Sequence, residues 1–135
     1  WPALKQRHPG LRLHAIGRLQ RNKLAEALKL FDVIHTLDRP GLATALAAAR
    51  DGGQALPPCL IQVNTGEEPQ KGGVLPRDLA PFLSLCRETL QLPVTGLMTI
   101  PPEGENPALH FALLQTMARR HHLKRLSMGM SADWE

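Results

Sequence analysis

Short apolar runs alternate with amphipathic helical segments along this 135-residue chain. In one such segment Leu24, Ala27, Leu28 and Phe31 recur at i, i+3, i+4 and i+7, which places them on one helix face. The stretches between successive runs are long enough for helical crossovers, and the Asn-Gly signal of a tight hairpin does not occur. The alternation therefore predicts an α/β protein built from right-handed βαβ units around a parallel sheet.

Five strands and four complete helices follow from this pattern. Helices are predicted to begin near Asn22, at Asp38-Pro40, at Asp78 and at Asn106-Pro107, with Asp38 and Asp78 as possible caps. A doubly wound sheet and an arc of a (β/α)8 barrel both satisfy this order, but no Gly-x-Gly-x-x-Gly turn opens a helix, which disfavours a dinucleotide-binding fold. The predicted strands are Leu11–Ile16, Val33–Leu37, Cys59–Val63, Val94–Ile100 and Lys124–Met128.

The composition is that of one globular domain, with 43% hydrophobic residues and a net charge of +4. No apolar run approaches the roughly 20 residues that span a bilayer, and the first residues lack a signal peptide's apolar region. We therefore expect a cytoplasmic protein that does not bind membranes. Cys59 and Cys86 form no Cys-x-x-Cys pair and are expected to be reduced and structural.

Both ends of the sequence suggest a piece of a longer protein or an incomplete gene product. The chain opens on Trp1 rather than Met, and it closes on a helix-start pattern, Ser131 to Glu135, with no helix after it.

Polar residues follow several of the predicted strands. Because the carboxyl ends of parallel strands meet at one edge of a sheet, these residues are expected to converge on one face. The segment from Ser127 to Ser131 combines glycine, two hydroxyls and free backbone amides, which suits a phosphate group. The residues concerned are His14, Gly17, His35, Asp38, Asn64, Lys71, Met98 and the segment from Ser127 to Ser131.

Five motifs together resemble the pyridoxal phosphate homeostasis proteins, the YggS-type family. They occur in the family's order and spacing and cover nearly the whole chain from Leu11 onward. They are HAIGRLQRNK (His14 to Lys23), FDVIHTLDRP (Phe31 to Pro40), IQVNTGEEPQKGGV (Ile61 to Val74), GLMTIPP (Gly96 to Pro102) and LSMGMSADWE (Leu126 to Glu135).

The resemblance implies a (β/α)8 barrel similar to the N-terminal domain of alanine racemase, holding pyridoxal 5'-phosphate. It implies a non-catalytic role in vitamin B6 balance, with the cofactor itself and PLP-dependent apoenzymes as partners, and a monomeric state. Motif by motif, it places Ser127, Gly129, Met130 and Ser131 at the phosphate. It places His14 and Gly17 near the ring, Asn64 in the pocket and Lys71 on the adjacent loop.

The family's first two strands and its last strand have no counterpart here, so the sequence predicts a partial barrel over residues 1–135. The family's covalent lysine lies on its first strand, and none of the five lysines of this chain, Lys5, Lys23, Lys29, Lys71 and Lys124, takes that position. An arc with open edges is expected to be marginally stable or to aggregate when expressed alone.

Two other classes of protein are less consistent with the sequence. A fragment of a racemase-type enzyme would need the missing lysine, an opposing base and a second domain. Nucleic-acid binding would use the basic run from Arg119 to Arg125, but cations at a helix C-terminus more simply complement the helix dipole. His35 is interpreted as a core histidine, and the six histidines show no spacing that predicts a metal site.

Overall fold

The computed structural model describes residues 6–8, 10–17, 19–68, 72–102 and 104–128. Within these ranges the chain forms five strands in one sheet, joined by helices. The strands are β1 (His14–Ala15), β2 (Val33–Leu37), β3 (Cys59–Gln62), β4 (Val94–Thr99) and β5 (Arg125–Met128). The helices are α1 (Leu24–Leu30), α2 (Pro40–Asp51), α3 (Leu79–Ser84) and α4 (Pro107–Arg120).

The sheet is parallel throughout and its strands lie in the order β1-β2-β3-β4-β5. In a doubly wound sheet the strand order reverses at a switch point, whereas here each strand pairs with its neighbour in the sequence. The order therefore selects the barrel arc from the two arrangements that the sequence left open.

The two faces of the sheet have different cores. The larger core lies between the sheet and the helices, and its centre includes the fully buried Ile34, Leu46, Ile61 and Leu114. The smaller core joins Val33, Leu60, Met98 and Ile100, which all come from or directly follow strands. The helices thus cover one face, as on the outside of a barrel, and the other face is left for a site.

The predicted strand β2 is confirmed at both ends, whereas β1 is much shorter than predicted. Leu13 accepts hydrogen bonds from the backbone N–H groups of Asp32 (2.7 Å) and Val33 (3.3 Å), and its own N–H donates to the Asp32 carboxylate (2.8 Å). The segment before His14 is therefore held partly by the Asp32 side chain, whereas a regular strand is held by backbone hydrogen bonds.

The helix predicted after Asp78 is divided into three parts. A 3₁₀ turn (Pro76–Asp78) precedes α3, and a π turn (Leu85–Thr89) follows it. The N–H of Leu90 donates to the carbonyl of Leu85 at 2.9 Å, which is the i to i−5 spacing of a π turn. Periodicity does not reveal this change because the apolar face continues through it.

The structure confirms some of the predicted helix starts and caps and not others. Asn106 accepts a hydrogen bond from the Ala108 N–H at 3.0 Å and caps α4. Asp78 occupies the N-cap position of α3 without a side-chain cap bond. The prediction for Asp38 is wrong: Arg39 is the N-cap residue of α2, and the Asp38 carboxylate makes the contacts described below.

Among the residues that the structure describes, no helix has the length and apolar character to cross a membrane. Cys59 and Cys86 are free thiols, and both are buried in the larger core.

Candidate functional site

Three side chains from three different strands form a continuous hydrogen-bonded row. His14 of β1 has its Nδ1 atom 2.9 Å from Nε2 of His35 in β2, and the two rings meet edge to face. The Nδ1 atom of His35 lies 2.8 Å from the Oγ atom of Ser127 in β5. We call these three residues the His–His–Ser row.

The row shows how strongly the sheet is curved. Strands β3 and β4 lie between β2 and β5, so three strand spacings separate His35 from Ser127 along the sheet. In a flat sheet that separation would be roughly 14 Å. A direct contact of 2.8 Å is possible only because both side chains point into the concave side of an arc.

His35 is half-buried in this row, and its pKa is lowered from its ordinary value. Burial is the main cause, because removing the ring from water disfavours its charged form, and the neighbouring His14 adds electrostatic repulsion. His35 is therefore a neutral ring at pH 7, with one nitrogen that donates and one that accepts.

A cavity of about 220 Å³ adjoins the two histidines on the concave face. Its wall includes Arg12 and Arg125 together with His14 and His35, and no described residue in the wall carries a carboxylate. Within the described part of the chain neither arginine has an ion-pair partner. The concave face is therefore electropositive and favours an anionic ligand.

The loop after β3 is fixed by its own backbone contacts. The Asn64 side chain donates to the Glu68 carbonyl at 2.7 Å and accepts from the Glu68 N–H at 3.1 Å. Gly73 adopts a φ of +110°, and an added Cβ there would lie 2.8 Å from the Asn64 nitrogen. The backbone of Gly73 passes so close to Asn64 that only glycine can occupy this position without strain.

Asp38 ties this loop to the start of α2. One of its carboxylate oxygens accepts from the Gly73 N–H at 3.2 Å, and the other pairs with the Arg39 guanidinium at 2.9 Å. Arg39 also donates to the carbonyl of Leu19 after β1. The Asp38–Arg39 pair therefore joins three connecting segments at the carboxyl edge of the sheet.

A second polar row lies beneath the same edge. The Thr65 hydroxyl is 3.0 Å from that of Thr99 and 2.9 Å from Nδ1 of His110 on α4, and Thr99 donates to the Val63 carbonyl at 2.9 Å. Thr65 and Thr99 are buried, so these bonds satisfy polar groups that water does not reach. This row holds the loop after β3 against α4.

The structure brings together some of the predicted site residues and separates others. His14 and Ser127 meet through His35, while Gly17 contributes its carbonyl to the Thr36 hydroxyl at 2.8 Å. Asn64 lies in the loop contacts described above. Lys71, Gly129, Met130 and Ser131 lie outside the described residues, so their predicted positions stay predictions.

The sequence pattern places His35 among the residues expected on the converging face but predicts a core histidine, not a site residue. Side chains alternate between the two faces of a strand, so His35 of β2 lies on the same face as Val33 and opposite to Ile34. This alternation was the signal in the sequence that could have identified His35. Arg12 and Arg125 were also missed, because an arginine at the start of a strand gives no sign that it faces a cavity.

The first part of the basic run lies at the C-terminal end of α4, as the helix-dipole interpretation requires. Helix α4 ends at Arg120, with Arg119 and Arg120 in its last turn. Arg87 donates to the carbonyl of His121 at 2.8 Å, which satisfies a backbone group just past the helix end. Burial and the charges of Arg120, Arg87 and His122 lower the pKa of His121.

The fold and the concave site define a protein of the β/α barrel class, present here as a half-barrel of five parallel strands. The family model described as "Alanine racemase, N-terminal domain" matches residues 3–134. The chain belongs to this alanine racemase N-terminal domain family.

Curated relatives share one description. The chain is 43% identical to the "Pyridoxal phosphate homeostasis protein" of Deinococcus radiodurans, over 93% of this chain and 60% of that protein. It is 39% identical to the proteins of the same name from Aquifex aeolicus and Escherichia coli K12, over 93% of this chain and 59% and 57% of theirs. The chain thus spans about three fifths of the length of these relatives.

Solved structures of PipY from Synechococcus elongatus PCC7942 are similar to this fold. The structure with PLP (pyridoxal phosphate) bound has a TM-score of 0.77 and 32% identity, covering 98% of this chain and 66% of that one. The structure without PLP has a TM-score of 0.81 and 34% identity, covering 98% and 68%.

Proposed function

We propose that this chain binds pyridoxal phosphate and serves in intracellular PLP homeostasis by buffering or delivering the cofactor. The observation that carries the proposal is the meeting of His14 and Ser127 through His35 on an electropositive concave face. The names of the relatives and the PLP-bound PipY structure point to the same ligand. A cytoplasmic location and a role without turnover belong to the proposal.

The described residues fit the chemistry of the cofactor's phosphate. A phosphate group accepts hydrogen bonds and carries negative charge, and Ser127 offers a hydroxyl beside a cavity lined by Arg12 and Arg125. Gly129, Met130 and Ser131 would add to the phosphate site, with His14 and Gly17 near the ring, Asn64 in the pocket and Lys71 on the adjacent loop. The cofactor supplies an aldehyde that reacts reversibly with amines.

Binding is expected to be non-covalent, because no lysine of this chain matches the family's covalent lysine. Borohydride treatment of the complex, followed by mass spectrometry, should leave the protein mass unchanged. A mass increase that disappears in Lys71→Ala would instead show that the loop lysine can substitute.

The direct test measures pyridoxal phosphate binding by equilibrium dialysis. Ser127→Ala should weaken binding by about 10- to 150-fold, because a hydrogen bond to a charged group contributes roughly 1.5–3 kcal/mol. Ser84→Ala is the matched control, since the Ser84 hydroxyl bonds to exposed Glu88 within α3 and its π turn. Absence of binding by the unmodified chain would overturn the proposal, and equal binding by both variants would remove Ser127 from the phosphate site.

A racemase-type enzyme is the second candidate, because the matching family model is named for alanine racemase. An assay that follows conversion of L-alanine to D-alanine with added cofactor distinguishes the two. Buffering predicts no turnover, whereas sustained conversion would favour the enzyme.

A further inference from the structure

The His–His–Ser row admits two arrangements of its protons. Each of its two hydrogen bonds holds one hydrogen, and the neutral His35 ring has a single N–H to place. In the first arrangement His14 donates from Nδ1 to His35 Nε2, and His35 donates from Nδ1 to Ser127. In the second arrangement Ser127 donates to His35 Nδ1, and His35 donates from Nε2 to His14.

The two arrangements leave Ser127 with different capacities. When His35 donates to the Ser127 oxygen, the hydroxyl hydrogen is free to point at another acceptor. When Ser127 donates to His35, its only hydrogen is already used, and the hydroxyl presents lone pairs alone. A fully ionised phosphate has only acceptors to offer, so it can be bound favourably by the first arrangement and not by the second.

From this geometry we infer that His35 is a positioning residue that turns the Ser127 hydroxyl into a hydrogen-bond donor for the phosphate of a bound ligand. This inference rests on the proposed function, because it assigns Ser127 to the phosphate of pyridoxal phosphate. His14 completes this arrangement. When its Nδ1–H donates to Nε2 of His35, His35 carries its own proton on Nδ1 and donates from there to Ser127.

The neutral state of His35 makes the two arrangements mutually exclusive. Burial lowers the pKa of His35, so its ring carries a single N–H, placed either on Nδ1 or on Nε2. Two cationic side chains, Arg12 and Arg125, line the adjoining cavity.

A variant at position 35 removes the link between His14 and Ser127. His35→Phe keeps an aromatic ring of similar size and removes both ring nitrogens, so it cuts the row.

Nitrogen NMR tests the arrangement directly. Long-range ¹H–¹⁵N spectra distinguish an Nδ1–H ring from an Nε2–H ring, and the other four histidines, His8, His110, His121 and His122, serve as internal references. Adding pyridoxal phosphate should leave both His14 and His35 with a proton on Nδ1. A bound state with His35 protonated at Nε2 would overturn the inference.

Binding of variants supplies the second readout. His35→Phe should weaken pyridoxal phosphate binding about tenfold. It should not change the binding of pyridoxal, which lacks the phosphate. His35→Asn restores a short donor near Ser127 and should recover part of the affinity without the link to His14. His8→Phe is the matched control, because His8 is exposed and does not line the cavity beside the row.

The outcomes separate the two proposals. If the unmodified chain binds pyridoxal phosphate and His35→Phe binds it equally well, the positioning role is wrong and the proposed function stands. If the unmodified chain does not bind the cofactor, both proposals fail. If His35→Phe does not fold, the NMR result and His35→Asn decide the question.

Discussion

Cys59 and Cys86 show how burial dominates the chemistry of a side chain in this molecule. Burial raises the pKa of both thiols to about 12, and the proximity of Cys86 adds to the effect on Cys59. Neither group therefore forms a thiolate near neutral pH, and thiolate is the reactive form. These are packing residues of the larger core rather than nucleophiles.

The raised thiol pKa values predict a loss of stability at alkaline pH. In the unfolded chain a thiol ionises near its ordinary value of 9, whereas in the folded chain it stays protonated up to about 12. The stabilisation is therefore complete below about pH 9 and is lost as pH rises toward 12. Urea unfolding at about pH 7 and about pH 10 should show this fall.

The double variant Cys59→Ala with Cys86→Ala isolates the thiol contribution. It is expected to be less stable at neutral pH, because two cavities are left in the core, yet its stability should fall less between the two pH values. An equal fall in both proteins would show that other groups cause the alkaline loss.

At the scale of elements, the close approach of β4 and β5 depends on Gly96. An added Cβ at Gly96 would lie 2.0 Å from the Arg125 carbonyl oxygen and 2.5 Å from its carbon, and both atoms are backbone. Gly96 and Arg125 are register partners, so the strands could not keep this pairing with a larger residue. The pairing of β4 with β5 therefore requires glycine at this position of the motif GLMTIPP, whether or not a ligand binds.

Gly96→Ala is therefore expected to lower the free energy of unfolding by about 1–3 kcal/mol or more, as overpacking does. Gly41→Ala is the matched control, since an added Cβ at Gly41 in α2 meets nothing within 4 Å. That variant should gain roughly 0.5–1 kcal/mol from a less flexible unfolded chain. Chemical denaturation of both proteins gives the comparison, and equal stability would contradict the strand-approach argument.

Much of the fold was predictable at the level of elements, because period and caps are local properties. The apolar alternation located β2 correctly, and Asn106-Pro107 located the start of α4. The predictions that failed depend on contacts between residues that are far apart in the sequence. Asp38 is used by Gly73, which is 35 residues away, so no local pattern could show that it leaves α2 uncapped.

The site was less predictable than the fold. Motifs identified His14 and Ser127, but the bond between His35 and Ser127 joins residues 92 apart in the sequence and depends on the curvature of the sheet. The sequence pattern around His35 is that of any half-buried strand, so His35 was interpreted as a core histidine. Curvature is a property of the assembled strands, and a strand's sequence does not specify it.

At the scale of the whole molecule, the arc leaves apolar groups in water. Among the described strands, β1 pairs only with β2, and β5 pairs only with β4. Near these edges Ile16 is 51% exposed and Met128 is 43% exposed, although both are apolar side chains. Unpaired strand edges with apolar neighbours promote association between chains.

The isolated chain is therefore expected to associate as its concentration rises and to melt over a broad temperature range. Size-exclusion chromatography with light scattering measures the first property, and circular dichroism measures the second. Replacing Ile16 and Met128 with lysine should reduce the association, because charge on an edge opposes pairing. A monodisperse monomer with a sharp, cooperative melt would contradict this expectation.

The sequential order of the strands has a consequence for how the chain folds. Each strand docks beside the one made just before it, so most pairings close short loops and the sheet can grow one βα unit at a time. The bond between His35 and Ser127 is different, because it closes a loop of 92 residues. This bond can form only after β5 has docked against β4, so the row depends on the whole described sheet being assembled.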